Sequence, residues 1–237
     1  MWQRVVPRVA IALALPTLLM TASERPEASP AAGGGATGRV HGTVRLTVAG
    51  STASAATAYA RRSIGPRAKA LPEALNVVVS FLKAPAASRN SISRVEITQQ
   101  GEQFVPHVVA VEAGTTVEFP NFDPYFHNVF SLSRPGTFDL GRYPTGDTRT
   151  RVFDKPGIVK VYCHLHSQMS ALIRVFDHGW FTIPDTRGEF TIDDVPAGTH
   201  TLVVWHERIG ERQEEVVVRA GATTELSFTL PVLETTE

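Results

Sequence analysis

The stretch "KPGIVKVYCHLHSQMSALIRVF", Lys155–Phe176, decides the fold. It reads as two short apolar runs, "GIVKVYC" and "ALIRVF", whose length and β-branched content suit strands, joined by a loop too short for a helix. That loop holds the chain's single cysteine, Cys163, two of its eight histidines and one of its three methionines. Cys163, His166 and Met169 follow a C-x-x-H-x-x-M spacing. Because one strand ends at Cys163 and the next begins just after Met169, the three side chains can converge on one point.

The same texture extends outward. From Arg39 onward the apolar segments are short and alternating or compact, as in "RVHGTVRLTV", "NVVVSFL", "HVVAVEA", "TTVEF", "HNVFSL", "THTLVVWH", "EEVVVRA" and "TELSFTL". Turn residues such as "EAGT", "NFDP", "KPG" and "PAG" separate them. No stretch of helical length keeps a 3.6-residue period, so the expectation is an all-β protein of sandwich type. The segment "AGSTASAATAYARRSIGPRAKALPEA" stands apart; it reads as a loop with a helical turn whose Arg61, Arg62, Arg67 and Lys69 form a solvated basic face.

Composition narrows the function. With 43% apolar and 19% charged residues the chain can bury a core. Its 23 basic residues balance 23 acidic ones, so no global field favours nucleic acid or an anionic membrane. Arg4 and Arg8, the apolar "VAIALALPTLLM" and the small residues "TAS" read as an export signal over residues 1–23, with no stable membrane span once it is cleaved. A Pro/Ala/Gly linker follows over 24–38. Export to the periplasm or beyond puts Cys163 in an oxidising compartment without an internal disulfide partner. Such a thiol is buried, paired with another chain, or held by a metal.

Thiolate, imidazole and thioether together suit a soft or borderline metal, and His₂Cys coordination with a weak axial Met belongs to blue-copper electron-transfer sites. Zinc accepts Cys and His, but thioether favours copper. A second histidine is required. His127 opens the strand-like "HNVFSL" after the turn-rich "NFDPYF", at a loop end suited to lie beside the Cys163 loop. The bland alternative is a buried cysteine used as apolar filler among ordinary histidines. His164 lies between ligands and points away by alternation. His107 reads as structural or exposed, and His200 and His206 lie on strand positions where they can face solvent. No spacing among His178, His200 and His206 specifies a second metal set.

From about Arg94 to Asp177 the sequence resembles the cupredoxins, and the Cys163/His166/Met169 spacing is most similar to their plastocyanin and amicyanin branch. The resemblance implies a Greek-key β-sandwich over 92–177 and one type 1 copper ion with His127, Cys163, His166 and Met169 as ligands. It also implies that Asn128 ties the two ligand loops together and hydrogen-bonds near the sulfur. The tail "GEFTIDDVPAGTHTLVV" with its following strands resembles the carboxypeptidase regulatory-like, or transthyretin-like, β-sandwich. That family's opening strands appear far upstream as "GRVHGTVRL" and "NVVVSFLK", so the expectation is a split sandwich of 39–83 with 180–231, the copper domain inserted between its halves. The simpler alternative leaves the early strands with the copper domain. The expected function is electron transfer with redox partner proteins that dock near His166, through an apolar collar of Pro124, Phe126 and Leu165, and not catalysis by the chain alone. The rivals are a copper delivery or storage module and a copper subunit of an oxidoreductase complex.

Overall fold

The computed structural model describes residues 36–49, 73–85 and 93–233. The export signal at 1–23, the linker up to residue 35 and the basic segment around Arg61 to Lys69 lie outside the described residues. The chain opens with β1 (Thr37–Ala49) and β2 (Val77–Phe81). Next come β3 (Arg94–Glu96), β4 (Thr98–Gln99), β5 (Phe104–Val105), β6 (Val108–Glu112), β7 (Thr115–Pro120), β8 (His127–Ser131), β9 (Phe138–Tyr143), β10 (Thr148–Phe153), β11 (Gly157–Tyr162) and β12 (Ser170–Phe176). It closes with β13 (Phe181–Thr182), β14 (Glu189–Pro196), β15 (Gly198–His206), β16 (Gly210–Val218) and β17 (Thr223–Leu233). Helical structure among the described residues is confined to two short 3-10 turns, Glu73–Asn76 and Arg134–Gly136. The protein is all-β, as its short alternating segments require.

The middle strands form a five-stranded sheet, β6-β12-β11-β8-β9, and a three-stranded one, β10-β7-β3. Their inward side chains, among them Val117, Phe119, Val129, Val159, Val161 and Ile173, make one core that also takes in Cys163 and Met169. The outer strands form a second pair of sheets, β14-β1-β17 and β13-β2-β15-β16. Here β1 pairs antiparallel with β14 from Thr37 to Thr43 and parallel with β17 from Arg39 to Ala49. The chain leaves after β2 and returns beside it, where Trp180 O accepts the Phe81 N–H and β13 pairs with β2. Val40, Val44, Val79, Phe81, Phe190, Ile192, Leu202 and Phe228 fill this second core. Gly42 lets β1 pass the Phe190 ring, since a Cβ there would lie 2.6 Å from ring carbon Cζ.

Strand periodicity explains how the two cores meet. On β12 the side chains of Ala171, Ile173 and Val175 enter the first core, while Leu172 and Phe176 point the other way. There they join Val108 of the first sandwich and Val78 and Trp205 of the second in a separate apolar cluster. Arg174 shares that face, its guanidinium 5.1 Å from the Phe176 ring and 5.0 Å from the Trp205 ring, and it pairs with Glu211 at 2.5 Å. With one face on its own core and the other on the neighbouring sandwich, β2 is buried at every position. That double burial is why "VVVSF" lacks alternation. It also corrects the expectation for His206, which is 0% exposed on the interior strand β15 rather than facing solvent.

Candidate metal centre

Antiparallel pairing builds the site. β8 and β11 are neighbours with Tyr162 opposite Phe130, so the chain leaving β11 runs back along the start of β8. Cys163 thereby comes beside His127, the first residue of β8. The loop then turns, with Met169 N–H donating to His166 O at 3.0 Å, and re-enters the sheet as β12.

Among the described residues, His127, Cys163 and His166 form a group whose metal-binding atoms all lie within 4.8 Å of one another. Cys163 Sγ is 3.8 Å from His127 Nδ1 and 3.9 Å from His166 Nδ1, and the two Nδ1 atoms are 3.0 Å apart. Metal bonds of about 2.0 Å to nitrogen and about 2.3 Å to sulfur separate the donors of a three-ligand site by about 3.5–3.8 Å. The S···N distances fit; the N···N distance is shorter, and of the two rings that of His166 is the less buried. His127 and Cys163 are buried, and Met169 is 1% exposed in the same core as Cys163. Asn128 joins the loops: its Oδ1 accepts the His164 N–H at 2.7 Å, and its Nδ2 donates to Asp139 at 2.9 Å.

His164 turns outward, stacked on Phe130 with centroids 3.7 Å apart and its Nε2 3.8 Å from Asp139. His107 lies away from the site and bridges the sandwiches, with Nδ1 2.9 Å from Ser170 O and Nε2 3.1 Å from both Glu207 oxygens. His178 receives the Trp180 N–H, and His200 donates to Pro196 O.

Two residues at the centre escaped sequence reasoning. Asp123 is buried, and its Oδ2 lies 2.8 Å from His127 Nε2. Burial alone pushes its carboxyl up, but the N–H of Glu102, the His127 ring and the N–H of Gly101 outweigh that and hold it below the usual carboxylate range. Tyr125 packs against both imidazoles, with centroids 5.4 Å from His127 and 5.6 Å from His166. Burial first, then the Asp123 and Glu102 charges, push its phenol up. An aspartate four residues before His127 in "DPYFH" was the available signal for the first. Beneath the site, burial likewise raises the Tyr143 phenol, which donates to Phe119 O at 2.9 Å.

Exposed apolar side chains cluster on the loops that precede His127 and follow Cys163: Phe122, Phe126, Tyr125 and Leu165 are 57%, 55%, 39% and 38% exposed. Among the described residues no helix is long and apolar enough to cross a membrane.

Residues 180–226 match the family model described as polysaccharide lyase family 4, domain II. No curated protein matches the chain. Among solved structures, a copper-containing nitrite reductase from Thermus scotoductus SA-01 is 28% identical over 40% of this chain and 25% of its own, with a TM-score of 0.34. The alignment thus spans a quarter of that enzyme. A purple cupredoxin from Nitrosopumilus maritimus is 26% identical over 35% of this chain and 99% of its own, with a TM-score of 0.32. Amicyanin from Paracoccus versutus is 18% identical over 41% of this chain and 97% of its own, with a TM-score of 0.33.

Proposed function

We propose that the protein is an exported electron carrier of the plastocyanin and amicyanin kind. In this reading His127, Cys163 and His166 hold one type 1 copper ion, and Met169 is a weak axial ligand. The observation that carries the reading is the convergence of the chain's single thiol with two imidazole Nδ1 atoms, at 3.8 and 3.9 Å, at the edge of the core that holds Cys163 and Met169. Copper bound there supplies a one-electron couple between Cu(I) and Cu(II).

The chain's residues do the rest. Buried His127 and Cys163 keep water from the site, and the cross-strand bonds of Asn128 hold the two loops at a set spacing. A donor set that stays in place through a change of charge keeps reorganisation small. Half-buried His166, packed on Tyr125 and on the loops that expose Phe122, Phe126 and Leu165, offers redox partner proteins a route to the site. Weak redox encounters bury less than about 1,200 Å², which a patch of this kind can supply.

The same reading divides the chain into two folding units, a copper domain over 92–177 and a carboxypeptidase regulatory-like sandwich of 39–83 with 180–231. Separate apolar cores and the return of the chain beside β2 support that division. The test of function is the visible and EPR spectrum of the copper-loaded protein. An intense thiolate-to-copper band with a narrow copper hyperfine splitting is expected. A colourless Cu(II) form with full copper content overturns the carrier reading in favour of storage or delivery.

A further inference from the structure

Asp123 occupies an unusual place for a carboxylate. It is 4% exposed, and no Lys or Arg side chain pairs with it among the described residues. Its Oδ1 accepts the Gly101 N–H at 2.6 Å; its Oδ2 accepts the Glu102 N–H at 2.9 Å and faces His127 Nε2 at 2.8 Å. Its own N–H donates to Asn121 Oδ1 at 3.0 Å, and its carbonyl accepts the Thr145 hydroxyl.

The turn between β4 and β5 is shaped for this carboxylate. Gly101 and Glu102 are both left-handed, with φ of 64° and 55°. Glycine adopts that conformation freely, but glutamate does so at a cost the surroundings must meet. The result aims two successive N–H groups at Asp123. The Glu102 side chain then reaches the other ligand loop, where its Oε2 accepts Gln168 Nε2 at 2.6 Å. One turn therefore fastens both loops that carry the thiol and the imidazoles.

A carboxylate against one imidazole nitrogen favours a proton on that nitrogen, so in the neutral ring the lone pair falls on the opposite nitrogen, which here faces Cys163. We propose that Asp123 is a positioning residue of the metal site: it holds His127 as the Nε2-protonated tautomer with Nδ1 turned to the ligand pocket, and its buried charge favours the more highly charged state of a bound ion. The inference rests on the copper reading above. One imidazole ring separates the carboxylate from the binding nitrogen, and burial keeps solvent from screening the charge.

Asp123→Asn keeps the shape, removes the charge and puts an amide NH₂ where one carboxylate oxygen accepted an N–H. Cu(II) affinity should fall at least about tenfold relative to Cu(I), raising the one-electron midpoint potential by about 59 mV or more while the thiolate band persists. Loss of thermal stability with an unchanged potential would show a purely structural carboxylate and overturn the proposal. ¹⁵N NMR of His127 in the unsubstituted apoprotein at neutral pH supplies a second test that needs no variant. Protonated Nε2 with unprotonated Nδ1 supports the proposal, and the reverse tautomer overturns it even if Asp123→Asn does not fold. Absence of the thiolate band in the unsubstituted copper protein defeats the copper reading itself, and the apoprotein tautomer still decides the role of Asp123.

Discussion

Phe228→Ala tests whether the two sandwiches fold as separate units. Phe228 lies opposite Val44 in the parallel pairing of β17 with β1, is 2% exposed, and packs 6.4 Å from the Phe190 ring. Truncating a buried phenylalanine costs about 3–5 kcal/mol, because transfer energy is lost and the cavity collapses only in part. Against a domain stability of about 5–15 kcal/mol that is a large fraction. At about 4 °C per kcal/mol for a unit of roughly a hundred residues, it lowers the melting midpoint by about 12–20 °C. The assay separates the halves. Trp180 and Trp205 belong to the second sandwich and its contact cluster, so in protein lacking the export signal tryptophan fluorescence reports that sandwich. Cys163, 5% exposed in the first core, reports the other through its protection from a thiol reagent in the apoprotein. The fluorescence midpoint should fall while Cys163 stays protected to a higher temperature. A single transition in which both signals shift together refutes the division into two units. A fluorescence midpoint moved by less than a few degrees refutes the packing argument for β17.

Cys163→Ser should abolish the visible band while far-UV circular dichroism stays that of a β protein, because the thiol supplies the charge transfer and little of the core. Met169→Leu is close to volume-conserving and should cost less than about 1.5 kcal/mol, retain copper and colour, and raise the reduction potential by removing a donor that favours Cu(II); a lowered potential with Cu(I) lost first points to storage or delivery. His127→Ala should do more harm, measured as a loss of Cu(II) affinity well beyond that of Met169→Leu. Glu207→Gln addresses acid stability: the His107 hydrogen bond, against the opposing effect of burial, holds the Glu207 carboxyl below its ordinary 4.5. A depressed carboxyl stabilises above the ordinary value and loses that contribution as pH falls through the folded one. Thermal midpoints measured from pH 6 down to 3 should therefore fall less steeply in Glu207→Gln than in the parent; equal slopes refute the bridge.

Local patterns carried a good part of this protein. Period-two alternation in "ALIRVF" and "RVHGTVRL" sets which side chains leave which face of a strand, and this holds whatever the strand later pairs with. Loop spacing placed Cys163, His166 and Met169 within reach of one another, because a hairpin turn of a few residues leaves them little room to separate. The expectation that His127 joins them needed one inference about neighbouring strands, and the structure brings its Nδ1 to 3.8 Å from the thiol.

Other features depend on partners distant in the chain. Asp123 is an ordinary turn aspartate in "NFDP" until β4 and β5 bring the Gly101 and Glu102 N–H groups against it from 22 and 21 residues away. His107 gains its role from Glu207, 100 residues on, and His206 is buried because β15 lies inside its sheet rather than at an edge. The even-numbered face of β12 reads as surface interrupted by leucine and phenylalanine, yet it meets Val78 and Trp205 across the junction of the two sandwiches. Sequence alone determined the strands, their faces and the short loop from Cys163 to Met169, since those follow from backbone geometry within a few residues. Tertiary structure decided which faces are covered and which charges are paired, because burial and hydrogen bonding depend on what the rest of the chain brings alongside.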